Sequence, residues 1–248
     1  MKFLDASPSA TLTLRDEEQE IIFDPYSAEG FDILSTLWFK SAVVHKINYE
    51  PFWLGMKTIQ FPSDIVLVQE AVWKAQPEVI IECGVAHGGS TILYASLCEL
   101  MGKGNVIGID VEIRPHNRKA IFSHKMADRI QLIERSSIAM ETIAEVRKKV
   151  RTAKSVMVIL DSKHTAAHVA KEINLYQEFV TPGSYLVVMD GGLGYLSDIP
   201  NGKAQWREDN PLTAINEFLA QTDEFEPDIE ISRFGPTSSP LGFLKRRD

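Results

Sequence analysis

Ile80-Ile81-Glu82-Cys83-Gly84-Val85-Ala86-His87-Gly88-Gly89-Ser90-Thr91 runs from an apolar segment through an acidic residue into a glycine-rich turn and then hydroxyl side chains. The run reads as a buried strand whose end opens, through the turn, into a helix. Glycine lets the backbone turn sharply and come close to a ligand, and the helix start offers free N–H groups. A dinucleotide fingerprint of the form G-x-G-x-x-G is absent, because the next glycine after Gly84 lies four residues on. A purely structural turn is the competing reading.

Outward from this stretch, short Val/Ile-rich runs recur. Val79–Cys83, Asn105–Asp110, Ile130–Glu134, Ser155–Asp161 and Ser184–Asp190 begin about 25–29 residues apart. Each is bounded by polar or turn residues, as expected of strands buried on both faces. Helical patterns lie between them at Ser90–Met101, Asn117–Met126, Ser137–Val150 and Ala166–Phe179. This period predicts βαβ units and five parallel strands. A Gly-rich polar stretch from Gly191 to Asn210 follows. Next come a helix over Pro211–Ala220 and a predicted strand–turn–strand, Asp228–Phe234 and Leu241–Arg246. A parallel wind closed by a hairpin predicts an α/β fold, the class I methyltransferase (Rossmann-like) sheet. Its seven mostly parallel strands would be flanked by helices, with an N-terminal helical extension. Residues 1–75 fall outside the rhythm and read as a helical lid or oligomerisation segment, with helices over Glu29–Val44 and Asp64–Ala75. Residues 76–248 form the expected ligand-binding domain.

Composition bounds the partners. The chain has 248 residues with 26 Lys+Arg and 34 Asp+Glu, a net charge of −8 and 44% hydrophobic residues, values of a folded globular protein. No apolar run is long enough for a membrane-spanning helix, and Met1–Ala10 lacks the features of a signal peptide. Cys83 and Cys98 cannot build a disulfide framework and read as buried residues in a reducing cytoplasm. The acidic balance argues against nucleic acid as a partner. Twelve Lys/Arg against six Asp/Glu in residues 103–154 read as a solvated face, with a phosphate-bearing partner as the alternative.

The chemistry concentrates at the strand ends. Glu82-x-Gly84-x-x-x-Gly88-Gly89-Ser90 matches what an S-adenosylmethionine site looks like, which makes Glu82, Gly84, His87, Gly88 and Ser90 candidate cofactor-binding residues. Asp110, ending the second strand, is placed to accept hydrogen bonds from ribose hydroxyls, with Glu112 as competitor. Ser136 and Ser137 line an adenine pocket or, for Ser137, cap a helix. Asp161 and Asp190 end the fourth and fifth strands, where carboxylates can hold Mg²⁺. They read alternatively as loop caps, or Asp161 as a contact to the donor's sulfonium. His164, three residues beyond Asp161, is the candidate general base. His87 positions the cofactor or caps the helix. His45, His116, His124 and His168 have no supporting constellation.

These motifs, together with Trp53-Leu54-Gly55, Gln60-Phe61-Pro62-Ser63-Asp64, Gln69-Glu70 and Leu160-Asp161-Ser162 with His164-Thr165, resemble the cephalosporin hydroxylase and rhamnosyl O-methyltransferase family from Asn48 to about Asp190. The resemblance implies a class I fold, S-adenosylmethionine as donor, Mg²⁺ at Asp161 and at the end of the fifth strand, and homo-oligomers. One position departs from it. Met189 precedes Asp190 where the family pattern has adjacent acidic residues, leaving Asp198 or Glu82 as possible recruits. The expected function is S-adenosylmethionine-dependent O-methyl transfer to a hydroxyl of a small natural product or sugar, with Asp161 and His164 as the catalytic pair. N- or C-methyl transfer, a non-catalytic nucleotide-binding role and RNA modification are the alternatives.

Overall fold

The computed structural model describes residues 10–15 and 20–248. Residues 1–9 and 16–19, which carry part of the acidic N-terminal run and the region read for a signal peptide, lie outside the described residues.

The chain opens with a hairpin, β1 (Leu12–Arg15) and β2 (Glu20–Phe23), followed by α1 (Ala28–Val44). Ser27 caps α1 by accepting from the Gly30 amide at 2.9 Å. A small hairpin, β3 (Phe52–Trp53) and β4 (Met56–Lys57), leads to α2 (Pro62–Ala75), with Pro62 in its first turn. The alternating units are β5 (Val79–Cys83), α3 (Gly89–Leu100), β6 (Asn105–Asp110), α4 (Pro115–Phe122), β7 (Ile130–Glu134), α5 (Met140–Val150), β8 (Val156–Leu160), α6 (Ala166–Tyr176) and β9 (Tyr185–Val188). The chain closes with α7 (Pro211–Leu219), β10 (Phe225–Pro227) and β11 (Phe243–Arg246). The N-terminal hairpin was not foreseen from the sequence.

Seven strands form one sheet in the order β10-β11-β9-β8-β5-β6-β7. The five strands from β5 to β9 are parallel, and β11 inserts antiparallel between β9 and β10. The expected fold is therefore present. Strand alternation divides the core. Ile81 and Cys83 join a cluster with α5, α6 and α7 on one face, while Ile80 joins α2 and α3 on the other. Because β5 pairs with β6 on one side and β8 on the other, strand order reverses there, and the carboxyl ends of these strands diverge into a crevice.

One predicted strand is corrected. Asp228–Phe234 is not extended: β10 ends at Pro227, and Ile231–Phe234 is a 3₁₀ turn. The Asp228 carboxylate accepts from the Tyr185 hydroxyl at 2.7 Å and Lys74 at 3.1 Å, while its carbonyl accepts from the Ile231 amide at 3.2 Å. These bonds draw the chain off the sheet edge. Among the described residues, no helix is long and apolar enough to cross a membrane. Both cysteines are buried and free, as expected.

Candidate active site

Three cavities adjoin one another over the carboxyl ends of the parallel strands. The first, about 340 Å³, is lined by Gly84, Ala86, Asp110, Ser136, Ser137 and Asp161, among others. The second, about 280 Å³, shares Gly84, Ala86, Asp161 and Ser162 with it and adds His87, Ser90, His164 and Asp190. The third, about 300 Å³, shares His164 and Asp190 with the second and runs between α1 and the segment after β9. The route thus passes from the β6 and β7 ends, past the glycine-rich turn, to a junction at Asp161, His164 and Asp190.

The glycine-rich turn is fixed from two sides, by the end of β8 and by Asp110. Gly84 has φ +108°, and a β-carbon there would sit 1.9 Å from the Asp161 carbonyl oxygen. The Asp161 amide in turn donates to the Cys83 carbonyl at 2.7 Å. Gly84 is therefore required by the close approach of the chain leaving β8. Asp110 Oδ2 accepts from the Val85 and Ala86 amides at 2.9 and 3.0 Å, so one carboxylate holds the turn and borders the first cavity. Glu112 is exposed and does not line that cavity; its amide donates to Asp110 Oδ1 at 3.2 Å.

Glu82 and Gly88 lie behind the cavity wall. Glu82 is buried, with its two carboxylate oxygens accepting from the Ser90 and Thr91 hydroxyls at 2.5 Å each. Burial pushes its carboxyl up to about 7, against the pull of those hydroxyls and with a smaller push from Asp110. Gly88, at φ +87°, packs against Ile121 of α4. Ser90 lies at the inner edge of the second cavity, and half-buried His87 lies along it. Ser137 does not cap α5, which starts from Ala139. Its carbonyl instead accepts from the Tyr176 hydroxyl at 2.8 Å.

At the junction, Asp161, His164 and Asp190 each bring a ligand atom within 4.8 Å of the others, the arrangement among the described residues suited to a metal ion. His164 Nε2 lies 3.4 Å from Asp190 Oδ2. Burial first, then the charges of Asp190, Glu82, Asp64 and Glu172, holds the Asp161 carboxyl well above the usual carboxylate range. A divalent cation offsets such converging negative charge, and carboxylate oxygens with open neighbouring space suit Mg²⁺, so the residues fit the ion. Neither expected recruit takes part: Asp198 pairs with Lys40 at 2.5 Å, and Glu82 is turned inward. Met189 is buried in the core, where its sulfur accepts from the Ser239 hydroxyl at 3.6 Å. Asp190 has a left-handed backbone, φ +60°, and its amide donates to Ser239 Oγ at 3.2 Å. Strain of this kind is kept where surrounding contacts over-determine it.

Sequence reading passed over His168. It lines the first cavity, its Nε2 lies 3.2 Å from Ser162 Oγ and 3.4 Å from Glu172 Oε1, and Ser162 donates to Glu172 at 2.7 Å. The His168-x-x-x-Glu172 spacing on α6 was the available signal. His124 contacts the Leu54 carbonyl at 3.1 Å, while His45 and His116 are exposed. Much of the basic region is paired at the surface, as in Arg118–Glu134, Arg129–Glu99 and Arg147–Glu178.

A family model described as Rhamnosyl O-methyltransferase/CmcI matches residues 45–247. A rhamnosyl O-methyltransferase of Mycobacterium leprae (strain TN) is 29% identical over 213 residues, covering 82% of this chain and 89% of that protein. Its counterpart in Mycobacterium tuberculosis (strain ATCC 25618 / H37Rv) is 29% identical over 202 residues, covering 78% and 77%. A solved structure of CmcI with Mg and SAM superposes with a TM-score of 0.58 at 19% identity, covering 81% of this chain and 78% of that one.

Proposed function

The chain belongs to the rhamnosyl O-methyltransferase/CmcI family, and on that premise we propose that it is an S-adenosylmethionine-dependent O-methyltransferase acting on a hydroxyl of a small natural product or sugar, assisted by a divalent cation. The observation that carries this reading is the meeting of three cavities at Asp161, His164 and Asp190.

The donor, held along Gly84, His87, Ser90, Asp110, Ser136 and Ser137, supplies an electrophilic methyl carbon. Asp161 and Asp190 would hold Mg²⁺, which when bound would supply Lewis acidity toward an acceptor hydroxyl. The protein's residues do the rest. Asp110 fixes the turn that would cradle the donor, and Gly89 and Ser90 at the start of α3 line the second cavity. His164 borders both the second and third cavities, where a hydroxyl entering from the third reaches its imidazole. Asp190 Oδ2, 3.4 Å from His164 Nε2, orients that imidazole. Direct transfer otherwise needs little but alignment, which rigid strand ends provide.

The same reading has the chain working in the cytoplasm as a homo-oligomer. Buried free cysteines support the first. Exposed Trp73 and Leu100 beside an apolar cavity of about 340 Å³ support the second, which light scattering would check.

Titration calorimetry with S-adenosylmethionine tests the donor site, and labelled donor offered with small hydroxylated acceptors tests transfer. Asp190→Asn and His164→Ala are each expected to keep donor affinity within about threefold and to lower turnover by roughly 10²–10⁴-fold. Chelator is expected to mimic the Asp190 variant, and added Mg²⁺ to restore only the wild type. Absence of donor binding by the wild type would overturn the reading.

A further inference from the structure

A group of side chains beside the first cavity has no part in the chemistry described so far. His168, Glu172 and Tyr176 recur every fourth residue on α6 and so share one face of it. The Tyr176 hydroxyl donates to the Ser137 carbonyl at 2.8 Å, which sets this face beside the loop after β7. His168 sits nearer the start of α6 and lines the first cavity together with Asp110, Ser136 and Ser137. Glu172 is fully buried and does not line it.

The hydrogen bonds decide which ring nitrogen of His168 carries a proton. Ser162 has one hydroxyl proton and gives it to Glu172 Oε1 at 2.7 Å. His168 Nε2 lies 3.2 Å from that hydroxyl oxygen and 3.4 Å from Glu172 Oε1. Both neighbours are thereby acceptors toward the ring, so Nε2 is the N–H donor. In the neutral imidazole Nδ1 is then a bare acceptor, and among the described residues it has no hydrogen-bond partner. Glu172 Oε2 is buried and has none either, so Ser162 and His168 are what this carboxyl holds. Burying an unpaired oxygen costs stability, which fits a group retained for its grip on the ring.

We propose that His168 is a specificity-determining residue for the donor: its Nδ1 accepts from the exocyclic amino group of the adenine, and Glu172 with Ser162 holds the tautomer that makes this possible. The proposal rests on the methyltransferase reading above, in which the ribose lies at Asp110 and the base toward Ser136 and Ser137, on the same cavity wall as His168. An amino group brings a proton to Nδ1. An oxo group at the same place, as in hypoxanthine, brings a lone pair instead and leaves both atoms unpaired. A site built around one donor–acceptor pair rejects the analogue that reverses it. Glu172 acts only through the ring and is a positioning residue.

Calorimetry on the full chain compares S-adenosylhomocysteine with S-inosylhomocysteine, in which an oxo group replaces the amino group. The expected result is tighter binding of the adenosyl compound by roughly tenfold to a hundredfold. His168→Gln carries its amide to the place of Nε2 and keeps the contact with Glu172. It is expected to bring the preference within about threefold by weakening the adenosyl compound. His168→Asn sets an amide near the place of Nδ1 and can turn its NH₂ group to an oxo. It is expected to reduce the preference by binding the inosyl compound more tightly than the wild type does. Glu172→Gln lets the ring take either tautomer and should also lower the preference, although Glu172 does not line the cavity. Urea unfolding establishes that each variant is folded at the temperature of measurement. A mere prop to the fold would weaken both compounds alike, so an equal loss for the two in the His168 variants overturns the proposal. So does a wild-type preference under about threefold, or one that survives any of the three substitutions. Failure of the wild type to bind S-adenosylhomocysteine would instead strike the methyltransferase reading itself.

Discussion

At Gly84 one missing side chain serves two needs. Its φ of +108° lies where L side chains are strained, and the Asp161 carbonyl occupies the space a β-carbon would take. Gly84→Ala is therefore expected to destabilise the fold by roughly 2–5 kcal/mol, combining backbone strain with overpacking, as read from urea unfolding. Unchanged stability would mean that the turn can move away from β8. Asp110 works the opposite way, through what it accepts. Asp110→Ala frees the Val85 and Ala86 amides and is expected to weaken donor binding by about 1.5–3 kcal/mol in calorimetry. Glu112→Ala, outside the cavity, should leave affinity unchanged; the reverse pattern would reassign the contact. The places of Gly84 and Asp110 at strand ends were legible in the sequence, because Gly84 directly follows and Asp110 closes a Val/Ile-rich run. Glu82 was not, since an acid in an apolar run gives no sign of which way it faces. Only the placement of Ser90 and Thr91 over it shows that its carboxylate is satisfied internally.

Among elements, the parallel strands announced themselves because strands buried on both faces are near-continuous Val/Ile runs. Their ends were harder to read where side chains rather than periodicity decide, as at Asp228. The unit β5–turn–α3 has a property that follows from Glu82. Its carboxyl titrates near 7 in the fold against an ordinary 4.5, so between those values the folded state binds more protons than the unfolded one. Stability contributed by the protonated form is full below about 4.5 and is lost as pH rises through about 7. The loss is on the order of 3 kcal/mol for a fully buried group. Urea unfolding from pH 5 to 8 should show this decline, reduced in Glu82→Gln, whose neutral amide carries no such proton. An identical pH slope in the variant would place the titration elsewhere.

Across the whole molecule, α2 and the C-terminal loop meet beside the junction of Asp161, His164 and Asp190. Leu67, Val68, Ala71 and Val72 of α2 belong to the core on one face of the sheet, so this helix is built into the domain it precedes in sequence. Its Asp64, one of the residues carrying the family resemblance, is fully buried. It accepts from the Thr237 hydroxyl at 2.5 Å and from the Ser238 amide and hydroxyl at 3.0 and 2.6 Å. The next residue, Ser239, accepts from the Asp190 amide and donates to Met189. A chain of contacts thus runs from the start of α2 to the strained backbone that aims Asp190 at His164. Burial raises the Asp64 carboxyl to about 6, against its three hydrogen bonds, so the site keeps a costly group for its connections. Asp64→Ala would leave the Thr237 and Ser238 donors unpaired in the interior, a loss of about 1–3 kcal/mol of stability. It would also release the loop that fixes Asp190. Turnover is therefore expected to fall by roughly tenfold or more at temperatures where the variant is fully folded, while donor affinity, which we propose is set at Gly84 and Asp110, stays within about threefold. Comparing kcat with the calorimetric donor Kd in one folded sample decides the matter. A parallel loss of both would make Asp64 a general support of the fold, and a stability loss with unchanged kcat would show that Asp190 holds its position without the loop.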